Sequence, residues 1–120
     1  MSPFCLTSAT PQEADASGRV SFTSVFPGCY SGRWPHIHFE VYPSLAAATT
    51  VANRVATSQI ALPKSACDAA YATAGYESSI GNLSRISRAT DMVFSDGSAL
   101  ELATVSGSVA GFAASLTVAI

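Results

Sequence analysis

Charge is what this sequence has least of. Of 120 residues, 6 are Lys or Arg and 8 are Asp or Glu, 12% in all, for a formal net charge of −2. No basic cluster occurs, so nucleic-acid binding has little electrostatic support. No apolar run is long enough to cross a bilayer. Residues 1–6 have neither the basic start nor the apolar stretch of a secretory signal, and the compartment is left open. Cysteine is sparse and odd in number: Cys5, Cys29 and Cys67 lie far apart, with no CxxC spacing. At least one thiol is therefore free or intermolecular, and a single disulfide in an exported protein stays open without a preferred pair. Histidine occurs only twice and GxSxG not at all, which leaves Ser/His/Asp hydrolysis poorly supported.

What fills the chain instead is 48% hydrophobic residues, with Ala, Ser and Thr where charge would ordinarily be. That is enough apolar material for the core of one domain spanning 1–120. The surface should be rather neutral, or include a face that another segment or chain covers.

Residues 1–17 are turn-rich and read as irregular. Val20, Phe22, Val25 and Phe26 predict a short strand ended by Pro27-Gly28. Residues 36–42 alternate cleanly: Ile37, Phe39 and Val41 form one face, and His36 and His38 share the other. Residues 45–56 follow neither period and read as a helix, or as a loop leading into a strand at 57–62. Pro63 and the helix formers after it predict a short helix to Tyr71. Residues 75–88 are polar and read as a surface loop. Asp91-Met92-Val93-Phe94 leads to a turn at Ser95-Asp96-Gly97. Two final strands are expected near 100–105 and 112–118, joined by a turn over 106–111. The sum is an all-β domain, a β-sandwich with one short helix.

The segment Pro27-Gly28-Cys29-Tyr30-Ser31-Gly32-Arg33-Trp34-Pro35-His36-Ile37-His38-Phe39 carries the chemistry. Two imidazoles at i and i+2 of a strand lie about 7 Å apart along the backbone and face one way. Neutral imidazole is a common ligand for Fe, Zn, Cu and Ni. Tyr30 follows a Pro-Gly turn that can aim its phenol at the same point. A phenolate suits Fe(III), because shifting its pKa down from about 10 needs a strongly Lewis-acidic ion nearby. Arg33 offers a fixed positive charge for a substrate anion or developing oxyanion. The bland reading of the same residues is a hairpin tyrosine, a surface arginine and two exposed histidines.

Taken together, Gly18-Arg19-Val20-Ser21-Phe22, Pro27-Gly28-Cys29-Tyr30, Gly32-Arg33 and His36-Ile37-His38-Phe39 closely resemble the intradiol ring-cleavage dioxygenases, relatives of the catechol and protocatechuate dioxygenases. The short Tyr30-to-His36 spacing resembles the compact branch of that family. Residues 57–62, 71–76 and 92–97 extend the resemblance, which covers roughly residues 12–120. It implies a non-haem Fe(III) held by Tyr30, His36 and His38. Tyr30 would be the tyrosinate that swings away when the diolate binds. Arg33 and Gln59 would stabilise charge on the ring. The implied reaction is cleavage of an aromatic 1,2-diol between its hydroxyl-bearing carbons with O2, giving a muconate-type diacid, as in aromatic compound catabolism.

The family uses two tyrosinates, the other lying upstream of the Gly-x-Val-x-Phe strand, and the first 29 residues here contain no Tyr. The chain is therefore expected to be an N-terminally shortened portion of such a protein. The alternative is a non-catalytic metal- or ligand-binding β-module that keeps His-x-His and has lost turnover. A third reading is a structural domain whose histidines face solvent. Exposed apolar edges in a shortened sandwich would favour a homo-oligomer. Tyr42, on the histidine face, is a weak substitute ligand. Asp91 and Asp96 fit turn and capping roles better than cation binding. Trp34 either lines a pocket or packs, and Cys29 reads as a loop thiol rather than a soft ligand.

Overall fold

The computed structural model describes residues 3–6 and 11–119. The fold is rich in strands, with two short helices, and divides into two compact units. The first unit takes the chain to Val25 together with residues 37–59; the second takes Phe26–His36 and residues 60–119.

The first unit is built on a four-stranded sheet in the order β2-β1-β3-β4. Its strands are β1 (Pro3–Leu6), β2 (Gln12–Glu13), β3 (His36–Val41) and β4 (Ala56–Ala61). In β3 the period-2 pattern holds over its second half: Phe39 and Val41 are buried, while His38 and Glu40, and also Ile37 of the expected inner face, are half-buried. β1 runs antiparallel to β3, with Phe4 opposite Val41 and Leu6 opposite Phe39. The reading of residues 1–17 as irregular is thus corrected, since two strands fall there. β1 pairs with β3, some thirty-five residues away in sequence and beyond what a local pattern can show, and β2 pairs with β1. Residues 7–10, part of that reading, lie outside the described residues, as does the side chain of Cys5. Residues 45–56, of ambiguous period, become two single turns of 3-10 helix, Ala47–Thr49 and Val51–Asn53, neither of which buries a residue.

In the second unit, α1 (Lys64–Tyr71) follows Pro63 as predicted. It buries Ala66, Cys67, Ala70 and Tyr71, one face of a helix. A second helix, α2 (Glu77–Leu83), corrects the reading of residues 75–88 as loop and the count of one helix. Its sequence is polar, and only Ser79 and Leu83 are buried, so it lacks the apolar stripe that reveals a helix. Polar contacts to the Tyr30 loop, described below, anchor it instead. β5 (Thr104–Ser108) and β6 (Gly111–Ser115) form an antiparallel hairpin closed at Val109-Ala110, a tighter turn than expected. Gly107 is required there: its φ is +94°, and a Cβ would collide with the Gly111 carbonyl.

The expected strand over residues 20–26 does not form. At the end of that segment the backbone is tied by tyrosine hydroxyls instead. Tyr76 donates to Phe26 O (2.7 Å) and Tyr71 to Pro27 O (2.9 Å). The Phe26 ring packs edge-on against Tyr71 and beside Phe112, at centroid distances of 5.8 and 5.6 Å. Among the described residues no helix is long and apolar enough to cross a membrane.

Candidate functional site

The loop from Pro27 to Pro35 is held from several sides within the second unit. α2 grips Cys29 at both backbone groups: Cys29 N donates to Ser79 Oγ (2.9 Å), and Asn82 Nδ2 donates to Cys29 O (2.8 Å). Gly28 lets α2 come this close, because a Cβ there would meet Ser79 Oγ at 3.1 Å. The buried Cys29 thiol points inward at Arg33 O (3.4 Å), which agrees with its reading as a loop thiol. Burial pushes its pKa up, away from the thiolate form a metal would need. Tyr30 to Arg33 close a turn in which Arg33 N donates to Tyr30 O (3.4 Å). Gly32 supplies the left-handed angle at its third position, φ +89°.

That turn leaves Tyr30 63% exposed, with its ring edge-on to His36 at a centroid distance of 6.1 Å. Phe94 flanks the other imidazole contact at 6.4 Å. His36 Nδ1 lies 2.7 Å from Trp34 O. A carbonyl can only accept, so Nδ1 carries the proton and Nε2 carries the lone pair of the neutral ring. That is the arrangement in which a histidine ligates a metal through Nε2, its other nitrogen held by a backbone carbonyl.

Trp34 packs rather than lining a pocket. It is 4% exposed, donates through Nε1 to Leu62 O (2.8 Å), and lies under the Arg88 guanidinium at 5.7 Å. Arg33 does not extend alone into solvent. Its Nε donates to Asp91 Oδ2 at 2.8 Å and its Nη2 to Asp91 Oδ1 at 3.4 Å. Asp91 is fully buried and also accepts from the backbone amides of Trp34, Val93 and Phe94. Burial alone would raise its pKa, but Arg33 and the three amides outweigh that and hold it down at about 2. The turn-and-cap reading of Asp91 is therefore observed, with a distant ion pair that the sequence did not announce. Asp96 lies in the next turn, closed by Gly97 N on Phe94 O (3.0 Å).

The remaining predicted residues belong to the first unit. His38, next along β3 on the same side as His36, has Nε2 3.2 Å from Thr57 Oγ1. Thr57 also donates to Phe39 O at 3.3 Å. One hydroxyl proton cannot serve both, so when it goes to Phe39 the imidazole must donate from Nε2. Gln59 is half-buried on β4. Tyr42 is 2% exposed and bonds Glu40 Oε1 (3.3 Å), which does not favour it as a ligand.

The loop thus brings Tyr30, Arg33 and His36 together in one unit, and β3 carries His38 out of it. Among the described residues no three His, Cys, Asp or Glu side chains form a metal-holding group. The donors that the second unit itself brings together are one imidazole, His36, and one phenol, Tyr30. No family model, curated protein or solved structure matches this chain. Sequence reasoning missed Ser79 and Asn82, whose only local signal was a polar stretch, and the Arg33–Asp91 pair.

Proposed function

We propose that the chain is an intradiol-type dioxygenase domain, with the β-sandwich that its family resemblance implies, holding Fe(III) through Tyr30, His36 and His38 and acting on an aromatic 1,2-diol with O2. One observation carries the reading: His36 is held through Nδ1–H by Trp34 O at 2.7 Å, which turns Nε2 into the ligating nitrogen, with the Tyr30 ring beside it. When bound, Fe(III) would supply the Lewis acidity that activates the diol toward oxygen. Tyr30, exposed and on a glycine-hinged turn, has room to move aside and accept a proton from a diol hydroxyl at its phenolate oxygen. Arg33, fixed in orientation by Asp91, would hold positive charge beside the substrate. Gln59 would help stabilise charge developing on the ring.

The test is optical. Iron-loaded protein should show a visible tyrosinate-to-Fe(III) band, and Tyr30→Phe should abolish it. An iron-loaded protein without such a band rules out ligation through Tyr30. Oxygen uptake with catechol then separates an enzyme from a binder.

A second reading, the non-catalytic metal-binding module, is favoured by a specific observation. The hydroxyls of Tyr71 and Tyr76 are committed to backbone carbonyls, and Tyr42 is buried against Glu40. None of these three supplies the second phenolate that the family pattern calls for. A coloured protein that consumes no oxygen supports this second reading.

A further inference from the structure

We propose that Asp91 is a positioning residue of the Tyr30–His36 site: it fixes the Arg33-Trp34 segment, and that segment decides which nitrogen of His36 bears the lone pair. The inference rests on the metal-ligand reading of His36 given above.

Each link is a short contact within one unit. Asp91 Oδ2 accepts from Trp34 N at 2.7 Å and from Arg33 Nε at 2.8 Å. Oδ1 accepts from Val93 N at 2.7 Å, Phe94 N at 3.1 Å and Arg33 Nη2 at 3.4 Å. Five donors converge on one carboxylate, and only the ionised, acceptor-only form receives them all. On the far side of the same residue, Trp34 O accepts from His36 Nδ1 at 2.7 Å. Trp34 is held between, with its indole on Leu62 O at 2.8 Å. Pro35 O accepts from Leu62 N at 3.1 Å. If the amide of Trp34 loses Asp91, its residue can rotate and its carbonyl no longer has to face the imidazole. The proton is then free to move to Nε2, which removes the ligating lone pair.

The competing explanation is that Asp91 only caps its own turn through Val93 and Phe94. Two variants separate the two. Asp91→Ser keeps a hydroxyl for the local amides but cannot reach Trp34 or Arg33. Asp91→Asn keeps one acceptor and, whichever way it flips, turns an NH2 toward N–H donors. Long-range proton–nitrogen spectra of the metal-free proteins read the tautomer of each histidine directly. The parent should show His36 as Nδ1–H. Both variants should populate Nε2–H at His36 and exchange the Trp34 amide at least tenfold faster. They should bind Co2+, used as a coloured probe, 10–100-fold more weakly. Amide protection in α1, where Cys67 N donates to Pro63 O at 3.2 Å within the same unit as Asp91, reports that the fold persists. Folded variants with His36 still Nδ1–H and unchanged Co2+ affinity overturn the proposal. So does a parent whose His36 proton is on Nε2, without recourse to any variant. A parent that binds no Co2+ yet shows the tautomer change sinks the metal reading and supports the hold of Asp91 on His36.

Discussion

The buried carboxylate of Asp91 makes a quantitative claim about stability and pH. Its pKa falls from an ordinary 3.8 to about 2 in the folded chain. The difference corresponds to about 2 kcal/mol of stabilisation by linkage. Because the folded value lies below the unfolded one, the contribution is complete above about pH 5. It is lost progressively as pH falls through 4 and then 2. Asp91 is 0% exposed, so solvent screening takes little away. Two other carboxylates are also held below their ordinary values: Asp15 by the Arg19 amide and Ser17, and Glu77 by its own amide and that of Gly75. A single pH titration of stability would therefore mix three groups. The difference between parent and Asp91→Asn removes the two exposed ones. Denaturant unfolding at intervals from pH 7 to pH 2 should show the parent more stable by about 2–3 kcal/mol at pH 7. The gap should shrink steadily below pH 5 and nearly close near pH 2, where a protonated Asp91 and an Asn present similar groups. Parallel curves over that interval would refute the claim that Arg33 and the three amides hold this carboxylate ionised.

Other perturbations test separate parts of the structure. Thr57→Val removes the hydroxyl that occupies His38 Nε2 at 3.2 Å. Losing a competing bond of about 1 kcal/mol should tighten Co2+ binding about fivefold, measured by optical titration. Gly107→Ala forces a left-handed angle on a Cβ that meets the Gly111 carbonyl, and should cost about 2 kcal/mol or more in thermal or denaturant unfolding. Tyr71→Phe deletes the donor to Pro27 O and should cost about 1 kcal/mol by the same measurement. Burial pushes Cys67 up to about 12, and its side chain is 0% exposed. Site-resolved alkylation at pH 8 should therefore label it slowly in the native protein and rapidly after unfolding.

How much of this was legible in the sequence depends on how far each determinant reaches. β3 was readable because its alternation is local, and α1 because Pro63 and the residues after it favour a helix start. α2 was not, because Glu77–Leu83 has no apolar stripe and is selected by Ser79 and Asn82 gripping Cys29 some fifty residues earlier. The strand expected at residues 20–26 does not form, and at its end Tyr76, just before α2, takes the Phe26 carbonyl. Phe26, expected in that strand, is half-buried and packs against rings rather than in a ladder.

The same distinction governs the candidate site. The identities of Tyr30, Arg33, His36 and His38 are local information, carried by a short motif with defined spacing. Their competence is not local. Arg33 is aimed by Asp91, 58 residues away, and Trp34, which fixes the proton on His36, is fixed by that same carboxylate. The loop's approach to α2 depends on a glycine at 28 and a serine at 79 that would be unremarked in either segment alone. A protein could keep every residue of the motif and still lose the lone pair on His36 through a change at Asp91. Conservation of the motif and function of the site are therefore separable properties. The two readings of this chain, enzyme and binder, differ in turnover and share the same requirement for a correctly protonated His36.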